Sequence, residues 1–384
     1  MNATVIHSVR LLTGHEDVTD AWVLLADGKV AARGSGSGWR EAARPGIEIV
    51  DGSGHTLTPG FIDMHCHGAG GAAFDSEDPA AITRALAVHR RHGTTRAVLS
   101  LVTAPVSQLE AQLARIRELT GGPGGVLGSH LEGPFLAEEF KGAHDQALLC
   151  AADATSVERL IAAAGGTLMQ VTLAPEQPGS MAAITQLVAA GIRVAVGHTA
   201  ANYEQTRAAF DAGATILTHA FNGMRGIHHR APGPVVAAMA DSRVTLELIN
   251  DGVHVHPDVV RLAFAGAPGR IALITDAMAA TGCADGPYRL GSLDVDVVGG
   301  VARLSGGGSI AGSTLTLDAA LRQAVHECGV SLQQAVEALT RVPARALGRS
   351  DSLGDLAVGY AADAVLLNEG LEVVAVWADG AKVS

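Results

Sequence analysis

Phe61-Ile62-Asp63-Met64-His65-Cys66-His67 is the stretch at which the sequence changes character. Before it lie short strand-like pieces: Thr4 to Leu12, then Ala21 to Gly34 interrupted by the turn dipeptide Asp27-Gly28, then Ile47 to Val50. From Phe61 onward, apolar strand-like runs alternate with helical stretches, starting with a helix over Ala80 to Gly93 and a strand over Thr95 to Val102. The same reading places strands near Val126–Glu132, Leu168–Leu173, Arg193–His198, Thr215–His219, Val244–Leu248 and Ile271–Asp276, which makes eight with the first two. Eight strands of parallel type with intervening helices close into a barrel more readily than they form an open sheet, because no reversal of strand order is required. The expected fold is α/β, a (β/α)8 TIM-type barrel.

Outward from the barrel, the Gly-rich Tyr288 to Ser309 segment reads as a hairpin insertion, followed by helical runs at Leu315–Cys328 and Leu332–Leu347. Ala361 to Leu367 and Val373 to Trp377 return to strands of the N-terminal kind, so the two chain ends are expected to form one small discontinuous β-sandwich. The turn-forming Thr58-Pro59-Gly60 and the stretch Ser350 to Gly354 set the boundaries: residues 1–58 and 350–384 for the sandwich, 59–349 for the barrel. The run Gly34-Ser35-Gly36-Ser37-Gly38 lacks the βαβ surroundings of a dinucleotide-binding loop and reads as a flexible surface loop.

Composition narrows the function classes. The 384 residues suit one barrel plus a small companion domain, and 48% hydrophobic content with 47 glycines fits an α/β core. With 27 basic against 39 acidic side chains the formal charge is −12, which disfavours nucleic acid as a partner. The N-terminal Met1-Asn2-Ala3-Thr4-Val5-Ile6-His7 has no basic segment followed by a long apolar one, and no run of about eighteen apolar residues occurs along the sequence, so neither export nor a membrane span is expected and the chain reads as cytoplasmic. Cys66, Cys150, Cys283 and Cys328 are widely spaced, without a C-x-x-C pattern; Cys66 reads as a small side chain on the far face of its strand.

In a parallel barrel the reactive groups collect at the C-terminal strand ends. Strand one ends in His65-Cys66-His67, strand three in His130-Leu131-Glu132, strand five in His198, strand six in His219 and strand eight in Asp276. A lone histidine is more often a satisfied core or surface group than a ligand. His65 and His67, however, are two apart on a strand and so share one face, as a chelating pair requires. The four imidazoles of His65, His67, His198 and His219 and the carboxylates of Glu132 and Asp276 converging on one barrel mouth match the donor set of a divalent ion, and burying those carboxylates without a cation is costly.

Further motifs make the likeness specific. Pro59-Gly60-Phe61-Ile62-Asp63-Met64-His65-Cys66-His67-Gly68, His130-Leu131-Glu132-Gly133-Pro134-Phe135, Lys141-Gly142-Ala143-His144, Gly197-His198-Thr199, Thr218-His219-Ala220-Phe221-Asn222-Gly223-Met224, Asp251-Gly252-Val253-His254 and Thr275-Asp276-Ala277-Met278 follow one another in an order that resembles the N-acetylglucosamine-6-phosphate deacetylases, within the amidohydrolases. By that resemblance Glu132, His198 and His219 hold the principal metal ion, and His65 and His67 a second, with Glu132 between them. One or two divalent ions are implied, zinc first, with iron, cobalt and manganese as the other choices.

The resemblance also implies substrate contacts from Ala143, His144, Asn222, Gly223, Arg230, Asp251, His254 and the loop Ile310-Ala311-Gly312. Gly223 stands where such sequences often carry alanine. Arg230, after His228-His229, is the phosphate candidate and in this family reaches the neighbouring subunit, which implies a homodimer. Asp276 is then the proton carrier, and His144 stabilises charge on the carbonyl oxygen. The implied reaction is hydrolysis of the acetamide of N-acetylglucosamine-6-phosphate in amino-sugar breakdown. The rival readings are another amidohydrolase, such as a dihydroorotase-like or N-acyl-amino-acid hydrolase, and a non-catalytic scaffold that keeps the barrel for protein interaction. Glu132 argues against the branch that bridges its metals with a modified lysine. A full set of metal and proton-transfer positions argues against the scaffold.

Overall fold

The computed structural model describes residues 3–122, 124–306 and 308–384; Met1 and Asn2 of the N-terminal stretch, and Gly307 within the expected hairpin, lie outside them. Eight parallel strands form a nearly closed barrel: β1 (Phe61–Cys66), β2 (Thr94–Val102), β3 (Val126–Glu132), β4 (Leu168–Leu173), β5 (Arg193–Val196), β6 (Ile216–Leu217), β7 (Thr245–Ile249) and β8 (Ile271–Ile274), each paired with its sequence neighbour. The strands are rich in apolar residues and buried on both faces because a parallel sheet is covered inside and out; every residue of β1, β7 and β8 is buried. Where β8 ends, the Asp276 amide donates to His65 O at 2.9 Å and the His67 amide to Ala277 O at 2.7 Å, joining the last strand's exit to the first.

Some of the helices between strands start where the sequence supplies acceptors for their unpaired amides. Asp153 accepts from the Ser156 amide, and Asn202 and Gln205 form a reciprocal capping box. Helices at Pro79–Arg91 and Leu317–His326 lie within a residue or two of the expected spans. The expected single helix over Leu332–Leu347 is instead two, Leu332–Leu339 and Arg341–Ala346. The reason is Pro343, which has no amide to donate and whose ring collides with the carbonyl four residues back; the Thr340 hydroxyl turns to Val336 O at 2.6 Å at the break.

The two chain ends share one eight-stranded mixed sheet, in the order Ala381–Lys382, Val373–Ala378, Ala364–Leu367, Thr56–Pro59, Thr4–Leu12, Asp17–Ala26 and Lys29–Ser35, with Glu48–Asp51 also alongside Thr4–Leu12. Its core includes Ile6, Val23, Leu57, Leu366 and Trp377. The glycine run is ordered rather than flexible: Ser35 ends a strand and Gly36–Gly38 form a 3-10 turn. Gly34 lies flat on Trp22, where a Cβ would sit 2.9 Å from the ring. By internal packing the chain divides into two compact units, one of Met1–Asp63, His89–Arg96 and Thr316–Ser384, the other of Met64–Val88 and Ala97–Leu315.

Within the second unit, the expected hairpin is a three-stranded antiparallel sheet, Gly286–Leu290, Leu293–Val298 and Val301–Leu304. Its apolar side, Leu290, Val295, Val297 and Ala302, packs with Val102, Met278 and Ala311. That packing sets Leu290 beside the barrel mouth.

Candidate metal centre and active site

Three of the polar strand ends lie two residues beyond the regular ladder. His198, His219 and Asp276 have φ of +45°, +26° and +50°, and Phe221 follows at +80°. Left-handed backbone at non-glycine residues costs of order 1–3 kcal/mol each and persists where the surroundings enforce it. Here the turn out of each strand swings the side chain inward over the barrel mouth.

The resulting cluster is organised around Glu132, which is 4% exposed. Its Oε1 lies 3.0 Å from both His198 Nε2 and His219 Nε2, and those two nitrogens are 3.0 Å apart. Its Oε2 faces the other way, 3.1 Å from His67 Nε2 and 3.5 Å from His65 Nε2. Asp276 Oδ1 completes that second group at 3.2 Å from His67 Nε2 and 3.5 Å from His65 Nε2. Two sets of donor atoms close enough to hold a metal ion result, Glu132-His198-His219 and His65-His67-Glu132-Asp276, with one carboxylate in both.

Electrostatics show what the cluster demands. Burial opposes charge on His67, yet hydrogen bonds and charge from Asp276 and Glu132 outweigh it and lift the imidazole to about 9; His65 is pushed the same way. Burial by itself would raise the Glu132 carboxyl, but the His65 charge and contacts from His144, His198 and His219 hold it well below the ordinary range. The carboxylates therefore call for positive charge beside them. Imidazole nitrogens and carboxylate oxygens in this arrangement fit a divalent ion of borderline softness, whose ligands are neutral imidazole and ionised carboxylate.

His144 plays a different part. Its Nδ1 accepts from the Thr103 amide at 3.4 Å and lies 2.8 Å from the Thr103 hydroxyl, which leaves the proton on Nε2, 3.6 Å from Glu132 Oε2. Burial and the neighbouring His198 lower this imidazole to about 4, so it is a neutral Nε2–H donor at pH 7. Thr103, one residue past β2, was not singled out from sequence. Nor were Glu247 and Gln170, buried inward on β7 and β4, although a carboxylate inside the apolar run Thr245-Leu246-Glu247-Leu248-Ile249 is a readable signal. Cys66 faces away from the cluster, buried, with its Sγ 3.8 Å from Val98 O.

Above the donors opens a cavity of about 420 Å³ whose wall includes Ala143, His144, Asn222, Gly223, His254, Ile310 and Gly312. Gly223, at φ +59°, lies against His198: a Cβ there would come within 3.0 Å of His198 Nδ1. The same Nδ1 meets Phe140 O at 2.8 Å, which turns Nε2 towards Glu132. Three of the expected substrate contacts stand off the wall. Asp251 sits behind His254, with Oδ2 2.7 Å from its Nδ1 and Oδ1 accepting two backbone amides, so its carboxylate orients the histidine. Ala311 is fully buried in the apolar cluster, its amide given to Ala302 O. Arg230 is exposed on the loop after β6 and does not line the cavity. Among the described residues of the wall there is no lysine or arginine.

Known proteins resemble this chain along nearly its whole length. The model of the Amidohydrolase family matches residues 56–383. An N-acetylgalactosamine-6-phosphate deacetylase of Escherichia coli O157:H7 is 42% identical over 381 residues, 98% of each chain. An N-acetylglucosamine-6-phosphate deacetylase of Vibrio furnissii is 37% identical, covering 99% of this chain and 94% of its own. Among solved structures, a mutant N-acetyl-D-glucosamine-6-phosphate deacetylase from Mycobacterium smegmatis, in complex with N-acetyl-D-glucosamine-6-phosphate, superposes over 100% of both chains with a TM-score of 0.94 at 45% identity. A barrel with this donor set at its mouth, matched along nearly its full length, belongs to the amidohydrolase family.

Proposed function

We propose that this chain hydrolyses the acetamide of an N-acetylhexosamine 6-phosphate, N-acetylglucosamine-6-phosphate first, releasing acetate and the amino-sugar phosphate. The observation that carries the reading is the shared carboxylate of Glu132 beneath a cavity flanked by Asp276 and neutral His144. What a divalent ion supplies when bound is Lewis acidity towards water and the acetamide carbonyl; zinc suits the donors best. Asp276 takes the proton from the attacking water and returns it to the leaving amine. His144 donates its Nε2–H to the carbonyl oxygen as negative charge grows there. His254, held by Asp251, is placed to bind the sugar.

An anionic phosphate needs a cation that the cavity wall lacks. The loop from Arg225 to Ala231 is exposed throughout. We read Arg230 as a phosphate ligand offered to a second copy of the chain, which makes a homodimer the active form. Among the described residues no helix is long and apolar enough to cross a membrane, and a cytoplasmic small-molecule enzyme remains our reading.

The 42% identical relative named for the galacto epimer supports a second substrate. Acetate release should therefore be measured from both 6-phosphates and from unphosphorylated N-acetylglucosamine. The reading expects turnover of at least one phosphorylated sugar and little of the free one. No acetate from either phosphate would overturn it.

A further inference from the structure

The imidazoles of the cluster are not supported alike. His198 leans on a backbone carbonyl, while Nδ1 of His67 and of His219 has no hydrogen-bond partner. Of these four imidazoles only His65 pairs its Nδ1 with a carboxylate: Glu247 Oε2 lies 3.1 Å from His65 Nδ1, and both side chains are fully buried. Glu247 is itself fixed, since Gln170 Nε2 donates to Oε1 at 2.8 Å and the His219 amide approaches Oε2 at 3.4 Å. Among the described residues no lysine or arginine forms an ion pair with it; its hydrogen bonds come from the histidine, an amide side chain and the backbone.

A carboxylate in this position accepts the Nδ1–H and leaves the Nε2 lone pair of His65 directed at His67, Glu132 and Asp276. The opposite group, Glu132 with His198 and His219, touches Glu247 solely through the His219 backbone amide.

We propose that Glu247 is the positioning residue of the second metal position: through His65 it makes the His65-His67-Glu132-Asp276 group bind a divalent ion, and has little effect on the ion held by Glu132, His198 and His219. The inference rests on the metal-centre reading given above. Glu247→Gln is nearly isosteric and keeps an accepting oxygen, while Gln170, whose Oε1 has no partner, can turn over to match the new amide. Glu247→Leu removes the acceptor altogether.

The test is Co²⁺ titrated into the metal-free full-length protein, read by visible absorption and by ions retained per chain, with the melting temperature of each metal-free variant as the folding control. Wild type should bind two ions. Glu247→Gln should weaken the second by about tenfold and Glu247→Leu by about a hundredfold, the range for removing such a support, with the first ion unchanged. Equal weakening of both ions, no weakening of either, or a wild type that binds fewer than two overturns the proposal. If the leucine variant does not fold, the glutamine variant decides alone. Failure of the deacetylase reading would look different: wild type with two ions bound and no acetate released.

Discussion

Glu132 Oε1 lies 3.0 Å from His198 Nε2 while the other oxygen of the same carboxylate faces His67 and His65, so a single side chain serves both donor groups. Glu132→Gln leaves one oxygen for two groups and should strip ions from both positions. His198→Ala and His219→Ala should each lose the ion of their own group and with it activity, because three protein ligands are the usual catalytic set. His65→Ala should lose only the second ion. Metal content of the purified variants checks this, and full retention in Glu132→Gln, His198→Ala and His219→Ala would remove the site.

Arg230→Ala should chiefly raise KM for the phosphorylated sugar and leave the metal content alone, since the arginine lies off the cavity wall of its own chain. A guanidinium binds phosphate through two parallel hydrogen bonds, so Arg230→Lys should restore only part of the loss. Kinetics with the phosphorylated and free sugars decide it: an Arg230→Ala enzyme with unchanged preference places phosphate recognition elsewhere. If the arginine acts across a dimer, mixing Arg230→Ala with a metal-site variant should regenerate some active sites.

Acid stability has a source away from the cluster. Asp318 is buried and paired with His92 at 3.1 Å and with Arg322 at 3.0 Å, while Thr316 donates to it at 2.6 Å. Burial opposes its charge, but the contacts from His92, Thr316 and Arg322 win and lower its carboxyl from 3.8 to about 2. A group depressed in the folded state adds stability that is present in full above its unfolded value and lost as pH falls through the folded one. The contribution is roughly 2 kcal/mol, present near pH 5 and gone near pH 2. Asp318→Asn should therefore lower Tm at pH 6 and flatten its decline between about pH 4 and pH 2; parallel wild-type and mutant melting curves over that window would refute the assignment.

Much of this was legible because parallel strands announce themselves as apolar runs and a barrel gathers whatever polar residue ends each run. His65, His67, Glu132, His198, His219 and Asp276 are thus grouped by the sequence pattern alone. What stayed hidden depends on direction rather than type. Asp251 and His254 read alike as contacts, yet only the fold shows one turned into the cavity and the other behind it. Glu247 sits mid-strand, where inward and outward facing residues alternate and a single sequence does not label the faces. Thr103 matters through its contacts with a histidine forty-one positions away and with the Glu132 carbonyl. Pro343 was visible, but the periodicity on either side of it masked the break.

Asp276 carries the most demanding prediction, because it belongs to a donor group and is also the proposed proton carrier. Its φ of +50° is one that asparagine tolerates and alanine does not, so Asp276→Asn is the substitution that keeps the backbone. The amide retains size and one accepting oxygen towards His67 but has no basic site for the water's proton. With folding and KM largely preserved, kcat should fall by about 10²–10⁴, the usual worth of a positioned acid–base group. The ion of the Glu132-His198-His219 group should stay, since Asp276 is not among its donors. Steady-state kinetics and metal analysis on the one protein separate the possibilities. A kcat close to wild type rejects the proton-carrier role, whereas loss of the first ion along with activity would make Asp276 a ligand before it is a base.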